Sequence, residues 1–474
     1  RRLDGQTLRA RADLVVRLYR ERAVDRDSAL DTSVVAHEFT HMVTSRLVGN
    51  ASGLGNNQGG SMGEGWSDFA ALLLMARAED VGHPANVDFG GAYAIGGWVH
   101  GGGGSQGHYF GMRRYPYSAN LAKNPLTFRH VMANEELPPV VPLAFGRSGR
   151  GNAEVHRSGE IWAVMLWDCW VALLRRADDF EAARAQMLEL LVASLKITPS
   201  DPTFLEARDA LLAAAWAVDP AIYADFWAAF ARRGAGVDAV APDRWSTDHR
   251  GVVESFEAGN HLRLVSASLT GDDCDRDGVL DAGETATLLL RLRNDGVGPL
   301  AQTTATFGSP TAGLTVGPGD AVPVPPSLPF ETVEVEVPVA LADAHAATPI
   351  EVQVVVRDPG LADDLVLGWG ALAHYDVAPG RAAVDTVELE RTMWTRGGEG
   401  LAGVDWERTW VQGQGWRWAG PTPGARSDRW LVSPPLQVSA DVPFRIRFLH
   451  RHDFETRAGF PMDGGVIEIS EDGT

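Results

Sequence analysis

Near residue 262 the spacing of apolar residues changes, and this change limits the folds open to the 474-residue chain. Before it, seven stretches carry apolar side chains at the three-to-four-residue interval of a helix. They are TLRARADLVVRLYRERAV, DTSVVAHEFTHMVTSRLV, SMGEGWSDFAALLLMARAED, SGEIWAVMLWDCWVALLRRA, FEAARAQMLELLVASLKI, TFLEARDALLAAAWAV and AIYADFWAAFARRG. Caps and breakers separate them at Asp31-Thr32-Ser33, Gly53 to Gly60, Pro199 to Pro202 and Gly234. The glycine run GGWVHGGGGSQG is expected to be loop.

After the change the period is two. ATLLLRLRND, ETVEVEVPVAL and IEVQVVVRD alternate between Pro- and Gly-rich turns, the pattern of a β-sandwich. From about Asp385 a third segment is also strand-rich and holds six of the 15 tryptophans. The expectation is a multidomain chain: a mainly helical region over 1–256, a β-sandwich over 257–380, and a truncated, jelly-roll-like β domain over 381–474. The chain opens without a Met or an apolar leader and ends within a strand pattern, as expected of a piece of something longer.

Composition excludes some partners. A net charge of −20 argues against nucleic acid and anionic membranes. Between Gly251 and Val377 there are 19 acidic residues against 5 basic, so the acid is concentrated in the sandwich. No apolar run reaches the roughly 18 residues of a membrane span. Cys169 and Cys274 fall in different expected domains, which speaks against a disulfide framework.

The motif with the most chemistry is HEFTH. His37 and His41 are four apart, so a helix stacks them on one face with Glu38 beside them. Two imidazoles on an ordinary amphipathic helix would give the same spacing. GGSMGEGWSDF then supplies Glu64, 23 residues beyond His41, and Asp68 one helical turn further. Two His and one Glu leave a position open for water, as catalytic zinc sites do. Asp68 could accept the free ring N–H of a ligating histidine. The plainer reading of both acids is helix N-terminal residues favouring the dipole.

HEFTH, GGSMGEGWSDF, GMRRYPYSANLAKNPLTFRHV and VHRSGEIWAVMLW occur in that order over about 31–256, and together they resemble the fungalysin family of secreted metalloendopeptidases, distant relatives of thermolysin. The resemblance implies a zincin catalytic lobe with its N-terminal lobe largely missing from this chain. It implies zinc ligation by His37, His41 and Glu64, Glu38 as general base, and Asp68 holding His37. It also implies His156 as donor to the oxyanion, protein or peptide substrates, and an extracellular location. The reaction would be attack of a zinc-activated water on a peptide carbonyl. A thermolysin-type tyrosine donor is absent between His41 and Glu64; Tyr109, Tyr115 or Tyr117 would have to supply it. A gluzincin aminopeptidase would need an amine-anchoring glutamate motif that is not present. A non-catalytic surface or adhesion protein on a zinc scaffold would have no need of Glu38.

DCDRDGVLDAGE places Asp273, Asp275, Asp277, Asp281 and Glu284 at positions 1, 3, 5, 9 and 12 of a calcium loop, with Gly278 at the turn and the Val279 carbonyl at position 7. The alternating TATLLLRLRND that follows replaces the helix of an EF-hand, so the loop is expected at the entrance to the sandwich. An acidic solvated turn is the alternative.

Overall fold

The computed structural model describes residues 26–101, 105–145, 147–270, 279–344 and 348–374, and pieces of 385–470. The chain divides into two compact units. One holds Arg1–His261, Asn294–Pro299 and Leu328–Glu331, and the other holds the remainder. The helix expected over TLRARADLVVRLYRERAV lies outside the described residues.

The first unit is helical. Helix α1, Thr32–Leu47, carries HEFTH and starts where Asp31 accepts from the Ser33 N–H. Helix α2, Asn57–Met75, starts four residues earlier than the glycine-rich sequence led us to expect. Asn56 caps it by accepting from Gly59 N, and a Cβ on Gly59 would meet that cap oxygen at 2.6 Å. The glycines are therefore part of how the helix begins.

The expected glycine loop also contains two short helical turns, α3 (Gly97–His100) and α4 (Ser105–Phe110). The first is induced at a distance. Asp31 Oδ2 accepts from Trp98 N and Val99 N at 3.1 and 3.0 Å, and Ser33 Oγ accepts from Gly96 N at 2.8 Å. The cap of α1 thus orders this segment as well.

Helix α5, Val155–Arg176, packs against α2. Gly65 and Gly159 face one another: a Cβ on Gly65 would lie 2.6 Å from the Gly159 carbonyl, and one on Gly159 would lie 2.7 Å from Glu64 Cβ. Only glycine at both positions allows this approach, which fixes Glu64. Trp66 and Trp162 close the contact edge to face at 5.8 Å. Helices α6 (Phe180–Ile197), α7 (Phe204–Val218) and α8 (Pro220–Arg232) complete the core.

The irregular chain over 111–134 is held by charge. Arg233 is fully buried and donates to Asp168 and to the carbonyls of Ser118, Asn124 and Leu126. Arg114, also buried, donates to Glu160 and Asn152.

The second unit contains two four-stranded antiparallel sheets. One has the order β1 (Leu262–Thr270), β2 (Thr285–Asn294), β6 (Thr332–Leu341), β4 (Leu314–Val316); the other has β5 (Val322–Pro323), β3 (Thr304–Gly308), β7 (Thr348–Arg357), β8 (Leu365–Ala373). Alternation sets the register: Leu288 pairs with Val337 and Leu290 with Val335, while Val352 pairs with Trp369. All of these face one apolar core shared by the two sheets, the sandwich the period-two pattern predicts. Beyond them β9 (Thr395–Glu399) pairs with β12 (Asp428–Val432), β10 (Glu407–Val411) with β11 (Gly415–Ala419), and β13 (Thr456–Arg457) with β14 (Phe460–Pro461). No larger sheet joins these pairs among the described residues.

Candidate metal centre

His37 and His41 lie one turn apart on α1, and Glu64 reaches them from α2. The two Nε2 atoms are 3.0 Å apart; Glu64 Oε2 is 3.3 Å from His37 Nε2, and Glu64 Oε1 is 3.4 Å from His41 Nε2. Ligands about 2.0–2.1 Å from a tetrahedral zinc are separated from one another by about 3.3 Å, so the donor set has the size of such a site. Glu64 Oε2 is shielded from water and meets no donor in hydrogen-bonding geometry. A buried, unbonded carboxylate oxygen is costly unless a cation or donor joins it, so these residues fit a divalent metal. Among the described residues this is the one group of three or more such side chains whose donor atoms converge.

The charges agree with that fit. Burial alone would raise the Glu64 carboxyl, but the adjacent His37 ring and the other nearby imidazoles hold it below the usual range. Burial is also the main influence on His41 and lowers it, favouring the neutral, ligating form. For His37, burial is opposed by its hydrogen bond to Asp68 and by the adjacent Glu64 carboxylate, which hold the ring up at about 9. A metal at Nε2 must therefore displace a proton.

Asp68 is buried one turn beyond Glu64, and its Oδ1 lies 2.7 Å from His37 Nδ1. It also accepts from Arg113, Nε to Oδ2 at 2.6 Å and Nη2 to Oδ1 at 2.8 Å, and from the Tyr117 hydroxyl. Burial would raise its carboxyl, but Arg113 and His37 hold it far below the usual range. Arg113 and Tyr117 were not singled out for this role by the sequence. Their only signal was two arginines and two tyrosines in a short RRYPY segment.

Glu38 is exposed on α1 between the histidines. His156, at the start of α5, is half exposed; its Nε2 lies 3.4 Å from Glu64 Oε2 and its Nδ1 2.5 Å from Glu154 Oε1. Glu154, also absent from the sequence-based set, caps α5 and holds the ring. The tyrosine alternatives narrow. Tyr115 is buried with its hydroxyl on the Pro138 carbonyl, and Tyr117 is buried on Asp68, so neither hydroxyl is open to a substrate. Tyr109 is partly buried on α4.

Of the calcium loop, Asp273, Asp275 and Asp277 lie outside the described residues. Val279, Asp281 and Glu284 are buried directly before β2. Asp281 N donates to Glu284 Oε2 at 2.9 Å, and Asp281 Oδ1 lies 3.1 Å from His374 Nδ1.

Two imidazoles and a glutamate gather between facing helices as a donor set that fits a divalent metal, and the exposed Glu38 follows His37 in sequence. A family model described as fungalysin metallopeptidase (M36) matches residues 3–239, half of the chain, and the chain belongs to that family. An extracellular metalloproteinase of Aspergillus terreus is 30% identical over 227 residues, 44% of this chain and 31% of its own length. One of Fusarium vanettenii is 32% identical over 248 residues, 49% and 33%. Extracellular metalloproteinase 3 of Trichophyton soudanense is 30% identical over 231 residues, 45% and 51%. The chain thus spans a third to a half of the length of these curated relatives.

Proposed function

We propose that this chain carries the metal-binding part of a secreted zinc endopeptidase that hydrolyses peptide bonds of extracellular proteins. The observation that carries the reading is the convergence of His37, His41 and Glu64 on one point, with Glu64 Oε2 buried and unbonded. Zinc held by His37, His41 and Glu64 would supply a Lewis acid and would lower the pKa of a bound water to about 7. Glu38 takes the proton of the attacking water and passes it to the leaving amine. His156, steadied by Glu154, donates to the carbonyl oxygen as it gains charge. Asp68 keeps the His37 Nδ1 proton in place, so that Nε2 is the ligating atom.

The helical region over 1–256 carries this chemistry, and 257–380 and 381–474 are β modules attached to it. The extracellular location is supported by the names of the relatives, and no described helix is long and apolar enough to cross a membrane. The 273–284 loop is proposed to take calcium at the head of the sandwich.

The test is cleavage of a denatured protein by the full-length polypeptide, before and after zinc chelation. Activity lost to the chelator and restored by zinc supports the reading. Activity that survives complete removal of metal rejects it.

A further inference from the structure

Asp68 accepts from four donor atoms, and only one of them, on His37, belongs to the metal site. Two come from Arg113, whose Nη2 also lies 3.9 Å from Glu64 Oε2, so its charge acts on ligand and orienting carboxylate alike. The fourth is the Tyr117 hydroxyl, which is neutral and donates to Asp68 Oδ2.

Resting on the reading of His37, His41 and Glu64 as a metal site, we propose that Tyr117 is a positioning residue for that site: its hydroxyl fixes the Asp68 carboxylate, which in turn sets the ring of His37. The backbone around Tyr117 is anchored independently of the ligands. Tyr117 and Tyr93 exchange N–H···O bonds of 2.8 and 2.9 Å, and the Tyr93 ring lies 4.6 Å from Trp167 on α5. Three residues earlier, Arg114 N and Nε both donate to Glu160 at 2.9 Å. One residue later, the Ser118 carbonyl accepts from Arg233. The hydroxyl is thus placed by the core of the helical unit. With Oδ2 held by Tyr117 and Arg113 Nε, rotation of the carboxylate is stopped and Oδ1 is aimed at His37 Nδ1. A carboxylate bonded in this way fixes the tautomer and orientation of the imidazole and raises its basicity as a ligand. Removing the Tyr117 hydroxyl leaves the carboxylate held by Arg113 and His37 alone, with its charge intact.

The experiment compares the full chain with Tyr117→Phe, reading zinc affinity by chelator competition and the visible bands of the cobalt(II)-loaded protein, which respond to ligand geometry. Tyr117→Phe should bind zinc about 10–100-fold more weakly and shift the cobalt bands. Tyr115→Phe loses a hydroxyl two residues away that bonds only a backbone carbonyl, and should change neither. In an Asp68→Asn background Tyr117→Phe should add no further loss, because Tyr117 acts through Asp68. If Tyr117→Phe does not fold, p-aminophenylalanine at 117 keeps the ring and a weaker donor and should give intermediate affinity and bands. The proposal is overturned by Tyr117→Phe matching the unaltered chain, by an equal loss in Tyr115→Phe, by an undiminished loss in the Asp68→Asn background, or by p-aminophenylalanine behaving as tyrosine does. An unaltered chain that binds neither metal, or a His37→Ala variant with unchanged affinity, overturns the metal reading and the proposal with it.

Discussion

His37 and Asp68, 31 residues apart on two helices, are joined by a 2.7 Å contact between Nδ1 and Oδ1. Asp68 is buried against the charge of Arg113, so it stays ionised and accepts a hydrogen bond from the imidazole Nδ1–H. This bond decides which His37 nitrogen faces Glu64. Asp68→Asn should therefore weaken zinc binding or activity by about 10–100-fold. Unchanged metal affinity together with unchanged turnover would show that Asp68 only stabilises the helix pair.

Glu38 is the exposed carboxylate of α1 beside the donor set. Glu38→Gln should retain one zinc per chain and lower turnover by about 10²–10⁴-fold. His37→Ala should instead lose the zinc. Metal content and initial rates on both variants separate the two roles, and a fully active Glu38→Gln would exclude Glu38 as base.

Two histidines make the helical unit sensitive to acid. His130 and His249 are buried, and burial is the main cause that lowers each to about 4. The His249 ring lies edge to face on Phe204 at 5.5 Å. Because the folded pKa is below the unfolded value of about 6.5, the unfolded chain binds more protons between these values. The contribution is complete above pH 6.5 and is lost as pH falls toward 4, on the order of 3 kcal/mol per histidine. Denaturant unfolding at stepped pH checks this. His249→Gln should make the slope between pH 6 and 4.5 shallower by about 1.4 kcal/mol per pH unit, and an unchanged slope would show that His249 takes up no proton on unfolding.

Calcium should stabilise the sandwich. Binding to the folded state alone adds about 2.7 kcal/mol at a hundredfold excess over Kd. The unfolding midpoint of the sandwich within the full chain should rise in millimolar calcium and fall back in a calcium-selective chelator. Asp277→Ala should abolish the response; a response that persists in the variant removes calcium from this loop.

Much of this protein is local, and local features are legible in a sequence. Period 3.6 and period 2 are imposed by helix and strand geometry on any half-buried element, so the helices after residue 31 and the sandwich strands follow from residue order. HEFTH also places two imidazoles on one helical face without help from the rest of the chain. Other features depended on distant partners. The glycine run forms its first helical turn, Gly97–His100, where Asp31 and Ser33, more than 60 residues away, accept its N–H groups. Helix α2 gains a turn from the Asn56 cap, and Glu64 is placed by the Gly65–Gly159 approach. Tyr117 could be read from the sequence as a donor to substrate; packing against Tyr93 and Asp68 turns its hydroxyl inward instead. Sequence determined which residue types share a helical face or a strand face, because that depends on spacing alone. Which buried group completes which hydrogen bond was decided only by tertiary structure, because a buried donor or acceptor must find a partner and the nearest one in space is seldom the nearest in sequence.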